Sequence, residues 1–575
     1  MPTDPSAKGT YRLPDGIEDD LKKIQLMVGQ VADGTLSAEG FRAFRVPMGI
    51  YEQREREKFM LRVRLPGGVL LPPQMRILAS VSEQYGNGVL HVTTRQDIQV
   101  HRMPMESIHP ALAALLEEGL TTKGGGGNTV RNITACPFAG VCSREAFDVT
   151  PYVISMTEFL LANPLSYQLP RKYKLAFSGC GCDCAGATVN DLGLIAKNRD
   201  GVCGFTVYVG GGMGARSRVA GLLEEFVPAE EIYLIAEAVK RVFDQHGDRK
   251  NRHKARLRFL IEKIGLEAFR KLYEEELAEL RESPPALPHV RANTRATYTP
   301  AVRRLSRSSD PDFCRWSQFS VLDQRHPGYK IVVLPLPLGD MDAESLRSLA
   351  DVVNAHGEGV LRTTQSQNVI IRWVKEAELE EIYARLSSLG LARSVPPVLR
   401  EIAACTGAST CRLGICQSRG LAKAIVDELC QSDLDLDKLE ELKIHINGCP
   451  NACGRGPIAQ IGFFGAARHR GERLVPHYAV CLGGRVGEGK TQLAEKAAVI
   501  PARNVPAFLR DFLEEFVQSP FCPDFEAFLD SGGRKRAGEI ATEYKKVPSF
   551  DEEQSFYFDW NAEEPFSLAD TRAGK

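Results

Sequence analysis

The sequence predicts an α+β fold made of two copies of one unit, related as a pseudo-twofold duplication. Two observations lead to this prediction. A cysteine pattern, C-x5-C and then C-x3-C, occurs twice in the 575 residues, and each cysteine lies 269 positions before its counterpart. The order of strand-like and helix-like segments around each pattern is also repeated. A duplication that keeps every interval is hard to obtain by chance.

The cysteines form two sets of four. The first-half quartet is Cys136, Cys142, Cys180 and Cys184, and the second-half quartet is Cys405, Cys411, Cys449 and Cys453. Four soft thiolates on loops suit a [4Fe–4S] cluster, so we predict one cluster on each quartet. Buried structural thiols or a zinc site are the alternatives, and they weigh more for the first-half quartet, where Cys182 lies between two candidate ligands.

The segment before each quartet has the same order of elements. In the first half a strand is predicted in MLRVRLPGGV, a helix in PPQMRILASVSEQYG and a second strand in GVLHVTTRQDIQVH. In the second half the corresponding segments are YKIVVLPLPLG, DAESLRSLADVVNAHG and GVLRTTQSQNVIIRW. Asp342 and Ser345 resemble residues that begin a helix.

The cysteine-bearing segments are also built alike. The first combines the helix TPYVISMTEFLLA with the strands KYKLAFSG, DLGLIAK and FTVYVGGG; the second combines GICQSRGLAKAIVDELC with LKIHING, IAQIGFFG and HYAVCLGG. Charged helices, including the motif DRKNRHKAR, precede a proline-rich connector. The predicted divisions are an N-terminal arm (1–40), a first strand–helix–strand part (41–125), a first cysteine-bearing domain (126–285), a linker (286–325), a second strand–helix–strand part (326–395), a second cysteine-bearing domain (396–520) and a C-terminal tail (521–575).

Composition excludes several classes of function. Lys plus Arg is 72 and Asp plus Glu is 73, so no overall field attracts nucleic acid or anionic lipid. No run of 18 apolar residues is present and the chain begins without an apolar leader, so we expect neither a membrane span nor a secretory signal. The 15 cysteines are then expected to be reduced, in a cytoplasmic protein.

The motifs CTGASTC and NGCPNACG, which carry the second-half quartet, resemble the siroheme- and [4Fe–4S]-containing sulfite/nitrite reductase family, in its hemoprotein or ferredoxin-dependent type. The resemblance extends from FRAFRVPMGIYEQR to about residue 515. It implies that each half has a ferredoxin-like part and a siroheme/Fe–S part. It also implies that Cys453 joins the cluster to the siroheme iron. Familiar members of the family lack the first-half quartet.

The same resemblance implies a cationic cage for the substrate anion. The matching positions are Arg95, Arg131, Lys172 and Lys174. The chemistry agrees, because an oxyanion that loses oxygen as water needs both positive charge and protons. Arginine offers a fixed fork of donors, whereas lysine can lower its pKa and give up a proton.

Siroheme carries eight carboxylates, so its pocket should be basic and rich in backbone donors. The candidate contacts are Cys453, Arg95, Gln99, Gly211, Gly212, Gln367, Asn368, Arg485, Arg252 and Arg256. Half of the cage is missing from the second half, where Gln365 and Glu441 replace arginine and lysine. We therefore expect one catalytic siroheme, with any second cluster serving as an electron relay. Residues 484–491, GRVGEGKT, match a phosphate-binding P-loop, but we expect this loop to face siroheme.

The leading functional prediction is reduction of sulfite to sulfide by six electrons. Reduction of nitrite to ammonia on the same centre is the alternative. Plant-type nitrite reductases tend to have Lys-x-Asn where this chain has Lys172 and Lys174, and a second lysine suits the doubly charged sulfite. A non-catalytic Fe–S electron-transfer subunit is an alternative of another class. No flavin or nicotinamide motif is evident, so a ferredoxin or a separate flavoprotein is expected as the donor.

Overall fold

The computed structural model describes residues 9–288, 290, 308–519 and 522–569. Part of the predicted linker therefore lies outside the described residues. The described chain forms four five-stranded sheets, two in each half. In each half one sheet is antiparallel and the other is mixed. The predicted α+β duplication is confirmed.

The strands of the first half are β1 (Ile50–Glu52), β2 (Lys58–Val63), β3 (Val69–Leu70), β4 (Val89–Val92), β5 (Ile98–Pro104), β6 (Thr134–Ala135), β7 (Leu175–Ser178), β8 (Leu192–Arg199), β9 (Val202–Val209) and β10 (Gly221–Pro228). Those of the second half are β11 (Val321–Asp323), β12 (Tyr329–Leu334), β13 (Asp340–Asp342), β14 (Leu361–Thr363), β15 (Val369–Lys375), β16 (Ala403–Ala404), β17 (Ile444–Asn447), β18 (Ile461–Arg470), β19 (Arg473–Leu482) and β20 (Glu495–Pro501).

The helices before the connector are α1 (Ile17–Ala32), α2 (Ala38–Arg45), α3 (Pro72–Tyr85), α4 (Ile108–Glu117), α5 (Thr150–Ala162), α6 (Ile232–His246), α7 (Leu257–Ile264) and α8 (Leu266–Glu282). Those after it are α9 (Pro311–Ser320), α10 (Ala343–Ala355), α11 (Leu379–Ser388), α12 (Pro397–Arg400), α13 (Ser418–Gln431), α14 (Val505–Val517), α15 (Phe525–Phe528) and α16 (Arg534–Glu543). Asp342 caps α10 by accepting a hydrogen bond from the Ser345 amide, as predicted.

The two antiparallel sheets exchange one strand each. Their strand orders are β1-β2-β5-β4-β13 and β11-β12-β15-β14-β3. Strand β13 of the second half therefore forms the edge of the first-half sheet, and strand β3 of the first half forms the edge of the second-half sheet. Met341 lies opposite Leu90, and Leu361 lies opposite Leu70. One hydrophobic core contains buried residues of both sheets and of helices α3 and α10. The two halves therefore cannot be separated at the connector without breaking sheets.

The mixed sheets position the cysteines. In the first half β6 and β7 run parallel, and in the second half β16 and β17 do the same. Cys136 follows β6 directly, and Cys405 follows β16 directly. Cys180 and Cys449 each come two residues after the neighbouring parallel strand. Because parallel neighbours end at the same sheet edge, each quartet is brought together at one edge.

Two predictions about local structure are wrong. The segment GVLHVTTRQDIQVH is a hairpin of β4 and β5, because Thr93 Oγ1 accepts hydrogen bonds from the amides of Arg95 and Asp97 and closes a turn. The second half has the same arrangement in β14 and β15.

The motif DRKNRHKAR is the second error, since it forms the loop between α6 and α7 and not a helix. Asp248 Oδ1 accepts hydrogen bonds from the amides of Lys250 and Asn251, and Asn251 Oδ1 accepts one from His253. Such local side-chain acceptors compete with helical hydrogen bonds.

The tail after residue 521 packs against the second half. Trp560 Nε1 donates to the carbonyl of Ala502, and the amide of Gln417 donates to Asp559. Phe556 and Tyr557 are buried. No helix in the described ranges combines the length and apolar character needed to cross a bilayer.

Candidate active site

A cavity of about 1130 Å³ lies between the two halves. Its wall includes Arg95 and Lys172 from the first half and Cys405 and Cys453 from the second half. Pockets for ordinary small molecules measure about 300–1,000 Å³, so this cavity can take a ligand as large as a macrocycle.

All four predicted cage residues line this cavity: Arg95, Arg131, Lys172 and Lys174. Arg95 comes from the turn between β4 and β5. The two lysines come from the extended segment just before β7, and Tyr173 between them is buried in the core of the first half. Alternate residues of an extended segment face opposite ways, which places both lysines on the cavity side.

Backbone carbonyls hold the two arginines in place. Arg95 Nη2 donates to the carbonyl of Asn132 at 2.6 Å, and Arg131 Nη1 donates to that of Gly125 at 2.9 Å. The Nε atoms of both arginines, and that of Arg455, are buried without a partner in the described part of the chain. Buried donors are almost always satisfied, so these three point to an acceptor that a bound anion or a siroheme carboxylate would supply.

The two lysines are adapted to exchange protons. Burial, together with the nearby charges of Arg256 and Arg131, lowers the pKa of Lys172 to about 7. Burial also lowers the pKa of Lys174, followed by the charges of Arg95 and Lys172. Within the described ranges neither ammonium has a carboxylate at ion-pair distance. Lys172 can therefore bind an anion when protonated and release a proton near neutral pH, and the lowered pKa of Lys174 also makes it a better proton donor than an ordinary lysine.

A buried ion pair supports the lysines from behind. Arg256 donates three hydrogen bonds to Asp191, at 3.2, 2.9 and 2.8 Å, and both side chains are removed from solvent. Asp191 also accepts the backbone amide of Lys174 at 2.9 Å. Arg256 thus does not line the cavity but fixes the strand segment that carries the cage.

The second-half quartet also lines the cavity, and its members are Cys405, Cys411, Cys449 and Cys453. Backbone amides point at the sulfurs: Gly448 N lies 3.2 Å from Cys405 Sγ, and Leu413 N lies 3.4 Å from Cys411 Sγ. Burial and the neighbouring thiols raise the pKa of Cys449 to about 12. A bound cation is needed to hold such a group as thiolates, and iron would supply it.

The first-half quartet lies beside the cavity and does not line it. Its thiols meet in two hydrogen-bonded pairs, Cys136 with Cys184 and Cys142 with Cys180. Among the residues that the structure describes, no three His, Cys, Asp or Glu side chains gather as ligands of a single metal ion.

The predicted siroheme contacts divide into two groups. Gln99, Gln367, Arg252, Arg95 and Cys453 line the cavity. Gln367 is already engaged, since its amide donates to the carbonyl of Val92 and accepts from the amide of Ala404. The remaining candidates lie outside the lining, and these are Gly211, Gly212, Asn368, Arg256 and Arg485.

Local partners explain why those candidates lie elsewhere. Asn368 bonds the backbone of Leu336 and Arg400, and Arg485 pairs with Glu526. Gly212 has a φ of 158° and lies against the Arg256 guanidinium, where a Cβ would come within 3.0 Å of Nη2.

The P-loop-like segment 484–491 does not line the cavity, so the expectation that it faces siroheme is not met. The amide of Glu488 donates to the carbonyl of Gly181 in the first-half cysteine loop at 2.8 Å. Thr491 Oγ1 accepts the Gly487 amide and contacts Thr188. Backbone donors that would hold a phosphate in a P-loop are thus partly used within the protein.

Sequence reasoning missed Arg455, which is buried in the cavity wall. It lies two residues after Cys453 and has a φ of 65°, in the left-handed region that few non-glycine residues adopt. Its position in the cysteine motif was the available signal. The direction in which the Arg455 side chain points depends on how the two halves pack together, and the sequence does not reveal this packing.

Comparison with known proteins agrees with this arrangement. The family described as "Nitrite and sulphite reductase 4Fe-4S domain" matches residues 126–280 and 397–519. The family described as "Nitrite/Sulfite reductase ferredoxin-like half domain" matches residues 51–118 and 322–389. Each family thus matches once in each half.

Two curated relatives are similar over most of their length. The assimilatory ferredoxin-dependent nitrite reductase of Haloferax mediterranei is 30% identical over 543 residues, which cover 90% of this chain and 90% of the relative. The ferredoxin–nitrite reductase of Synechococcus elongatus is 32% identical over 467 residues, which cover 80% and 86%.

The solved structure of the Mycobacterium tuberculosis NirA protein superposes with a TM-score of 0.75 at 25% identity, covering 91% of this chain and 98% of that one. The duplicated fold predicted from the sequence is therefore confirmed. With both matched domains present in each half, this chain belongs to the siroheme-dependent nitrite and sulfite reductase family of oxidoreductases.

Proposed function

We propose that this protein reduces nitrite to ammonia with six electrons supplied by ferredoxin. The observation that carries the proposal is that four cationic residues of the first half and Cys453 of the second half line one cavity. Several similar proteins are named ferredoxin-dependent nitrite reductases, which favours nitrite over the sulfite predicted first from the sequence.

The cofactors would be held by residues that fit them. Siroheme would lie in the cavity, where the unpartnered Nε atoms of Arg95, Arg131 and Arg455 offer donors to its carboxylates or to the substrate. A [4Fe–4S] cluster would be held by the second-half quartet, with Cys453 shared between the cluster and the siroheme iron. When bound, siroheme supplies the redox-active iron.

The chain itself would bind the anion and supply protons. Arg95 and Arg131 are fixed by backbone carbonyls, so they can hold substrate oxygens without reorganising. Lys172 and Lys174 would protonate those oxygens, which leave as water. Asp191 and Arg256 keep the lysine segment in position. Because protein from both halves surrounds the site, the local dielectric is lower than that of water, and each of these electrostatic interactions is stronger.

Sulfite reduction to sulfide is the second candidate, because a specific feature favours it. Two lysines and two arginines face the cavity, and this charge suits a dianion better than a monoanion. A non-catalytic electron-transfer role remains the alternative of another class. A cytoplasmic location also remains a prediction from cysteine content.

The test is an anaerobic assay of the siroheme-loaded full chain with dithionite-reduced ferredoxin. Ammonia formed from nitrite and sulfide formed from sulfite are measured side by side. We expect a higher kcat/KM for nitrite. The Lys172→Met variant should lose at least about tenfold of the rate, whereas Lys496→Met, an exposed lysine on β20, should not. A preference for sulfite would support the second candidate, and turnover of neither anion would support the non-catalytic role.

A further inference from the structure

We propose that the first-half quartet holds a second [4Fe–4S] cluster, which relays electrons from a one-electron iron–sulfur donor protein toward the cavity. The cluster itself is inferred from the geometry of the quartet. Its relay role rests on the proposed function.

The first reason is a set of backbone donors that the two quartets share. In the first half the amides of Phe138, Arg144 and Cys182 each donate to the cysteine two residues earlier. In the second half the amides of Gly407, Leu413 and Asn451 do the same at the equivalent positions. Hydrogen bonds to the sulfurs are among the features that stabilise and tune protein-bound clusters. The first-half loops have kept them although their side chains differ.

The turn that carries the last cysteine is also the same in both halves. Asp183, just before Cys184, has a φ of 51°, and its counterpart Ala452 has a φ of 55°. Gly186 and its counterpart Arg455 have φ values of 72° and 65°. Such positive φ angles are energetically unfavourable for residues other than glycine, so contacts with the surrounding structure must maintain the conformation. In the first half the Asp183 carboxylate fixes this turn by accepting hydrogen bonds from Ser178, Ala187 and Thr188, so the loop holds Cys184 in the same position as Cys453.

The geometry favours a cluster over a single zinc ion. Zinc needs four ligands at about 2.0–2.3 Å from one point. The first-half thiols instead meet in two pairs, and within the described residues no three ligands gather on one point in either quartet. The two quartets thus share this property, and each lies in a segment of this chain that matches the family described as a 4Fe-4S domain.

The residues that correspond to the anion cage in the second half do not form a second cage beside the first-half quartet. At the cage positions of the second half, Gln365 donates its amide to the carbonyl of Ala135, and Arg400 donates to that of Phe319. Glu441 and Lys443 are exposed. A cluster on this quartet could carry electrons, but these residues would not bind a substrate anion beside it.

The quartet is placed between the surface and the cavity. On the outer side Arg144 and Gly181 are exposed. On the inner side Ala185, which follows Cys184, lines the cavity. Arg455 reaches from the second-half cysteine motif to the first-half loop, where a Cβ on Gly186 would lie 2.9 Å from its Nη2. The two cysteine loops therefore meet at this arginine, on the wall of the cavity.

This placement defines a one-electron relay. The donor protein loses one electron and the first-half cluster gains it. The first-half cluster then loses that electron to the centre held by the second-half quartet and returns to its oxidised state. Six such cycles supply one nitrite. The exposed Arg144 beside Cys142 fits a donor with a negatively charged surface.

Iron content tests the cluster without reference to activity. The full chain is reconstituted anaerobically with siroheme, iron and sulfide, and iron, acid-labile sulfide and zinc per chain are measured. We expect about nine irons and eight sulfides in the wild type, and about five and four in Cys142→Ser or Cys180→Ser. The matched control, Cys182→Ser, should keep about nine irons. About five irons in the siroheme-replete wild type, with or without zinc, would overturn the proposal.

Two electron donors test the relay. Nitrite reduction is driven by reduced ferredoxin or by reduced methyl viologen, a small molecule that can diffuse into the cavity. In Cys142→Ser we expect the ratio of the ferredoxin-driven rate to the viologen-driven rate to fall at least about tenfold. An unchanged ratio would overturn the relay. If the wild type reduces nitrite with neither donor, the proposed function fails while the iron content still decides the cluster.

Discussion

Thr94 Oγ1 donates a 2.7 Å hydrogen bond to the backbone carbonyl of Cys453. It joins the turn of the first half that carries Arg95 to the last cysteine of the second half. The two residues are 359 positions apart in sequence. This single bond therefore links the substrate cage to the residue proposed to join cluster and siroheme.

Loss of this hydrogen bond should slow catalysis. Thr94→Val keeps the shape of the side chain but removes the donor. Because a neutral hydrogen bond contributes about 1 kcal/mol, we expect kcat/KM for nitrite to fall about fivefold. Steady-state kinetics of the siroheme-loaded protein measure the effect. Thr542→Val, which removes an exposed hydroxyl on α16, is the control. An equal loss in both variants would contradict a specific role for Thr94.

The second lysine of the cage should distinguish the two anions. Lys174→Asn removes from the cavity an amine that is positively charged when protonated. Sulfite carries twice the charge of nitrite, so its kcat/KM should fall at least about tenfold more than that of nitrite. Both substrates are assayed with the same donor, and Lys496→Asn serves as the surface control. Equal losses for the two anions would remove the electrostatic argument for sulfite.

Activity should fall on the alkaline side as Lys172 loses its proton. Burial lowers the pKa of this lysine to about 7. The protonated form is populated below the pKa, and it is this form that binds the anion and donates a proton. Raising the pH through the pKa therefore lowers the rate. In Lys172→Arg the guanidinium stays charged, so the alkaline fall should move to higher pH while the maximal rate drops. A pH profile identical to the wild type would show that Lys172 is not the group that titrates.

The ion pair behind the cage should matter for stability. Asp191→Asn leaves the buried Arg256 without its charged partner, which costs about 3–5 kcal/mol. We expect the denaturant midpoint, followed by circular dichroism, to fall accordingly. The double variant Asp191→Asn/Arg256→Met should recover part of the loss, because no unpaired charge stays buried. Additive losses in the double variant would argue against coupling of the two side chains.

Several features could be predicted from the sequence because they are local. Helix α5 coincides with TPYVISMTEFLLA, and Asp342 caps α10 as its position before the helix indicated. The four cage residues also line one cavity, because the motif resemblance and the chemistry of anion binding selected the same side chains. The turn between β4 and β5 is also local, but the sequence pattern predicted one continuous strand there. The reason is that apolar and polar residues alternate on both sides of the turn.

The sequence by itself determined the duplication, since the interval between the two quartets and the order of the strands can be counted along the chain. Only the tertiary structure decided how the two copies are combined. Strands β3 and β13 cross into each other's sheets, and Arg455 reaches the opposite cysteine loop. The reason is physical: hydrogen bonds between nearby residues depend on local spacing, whereas the pairing of Leu70 with Leu361 depends on how whole apolar faces pack together.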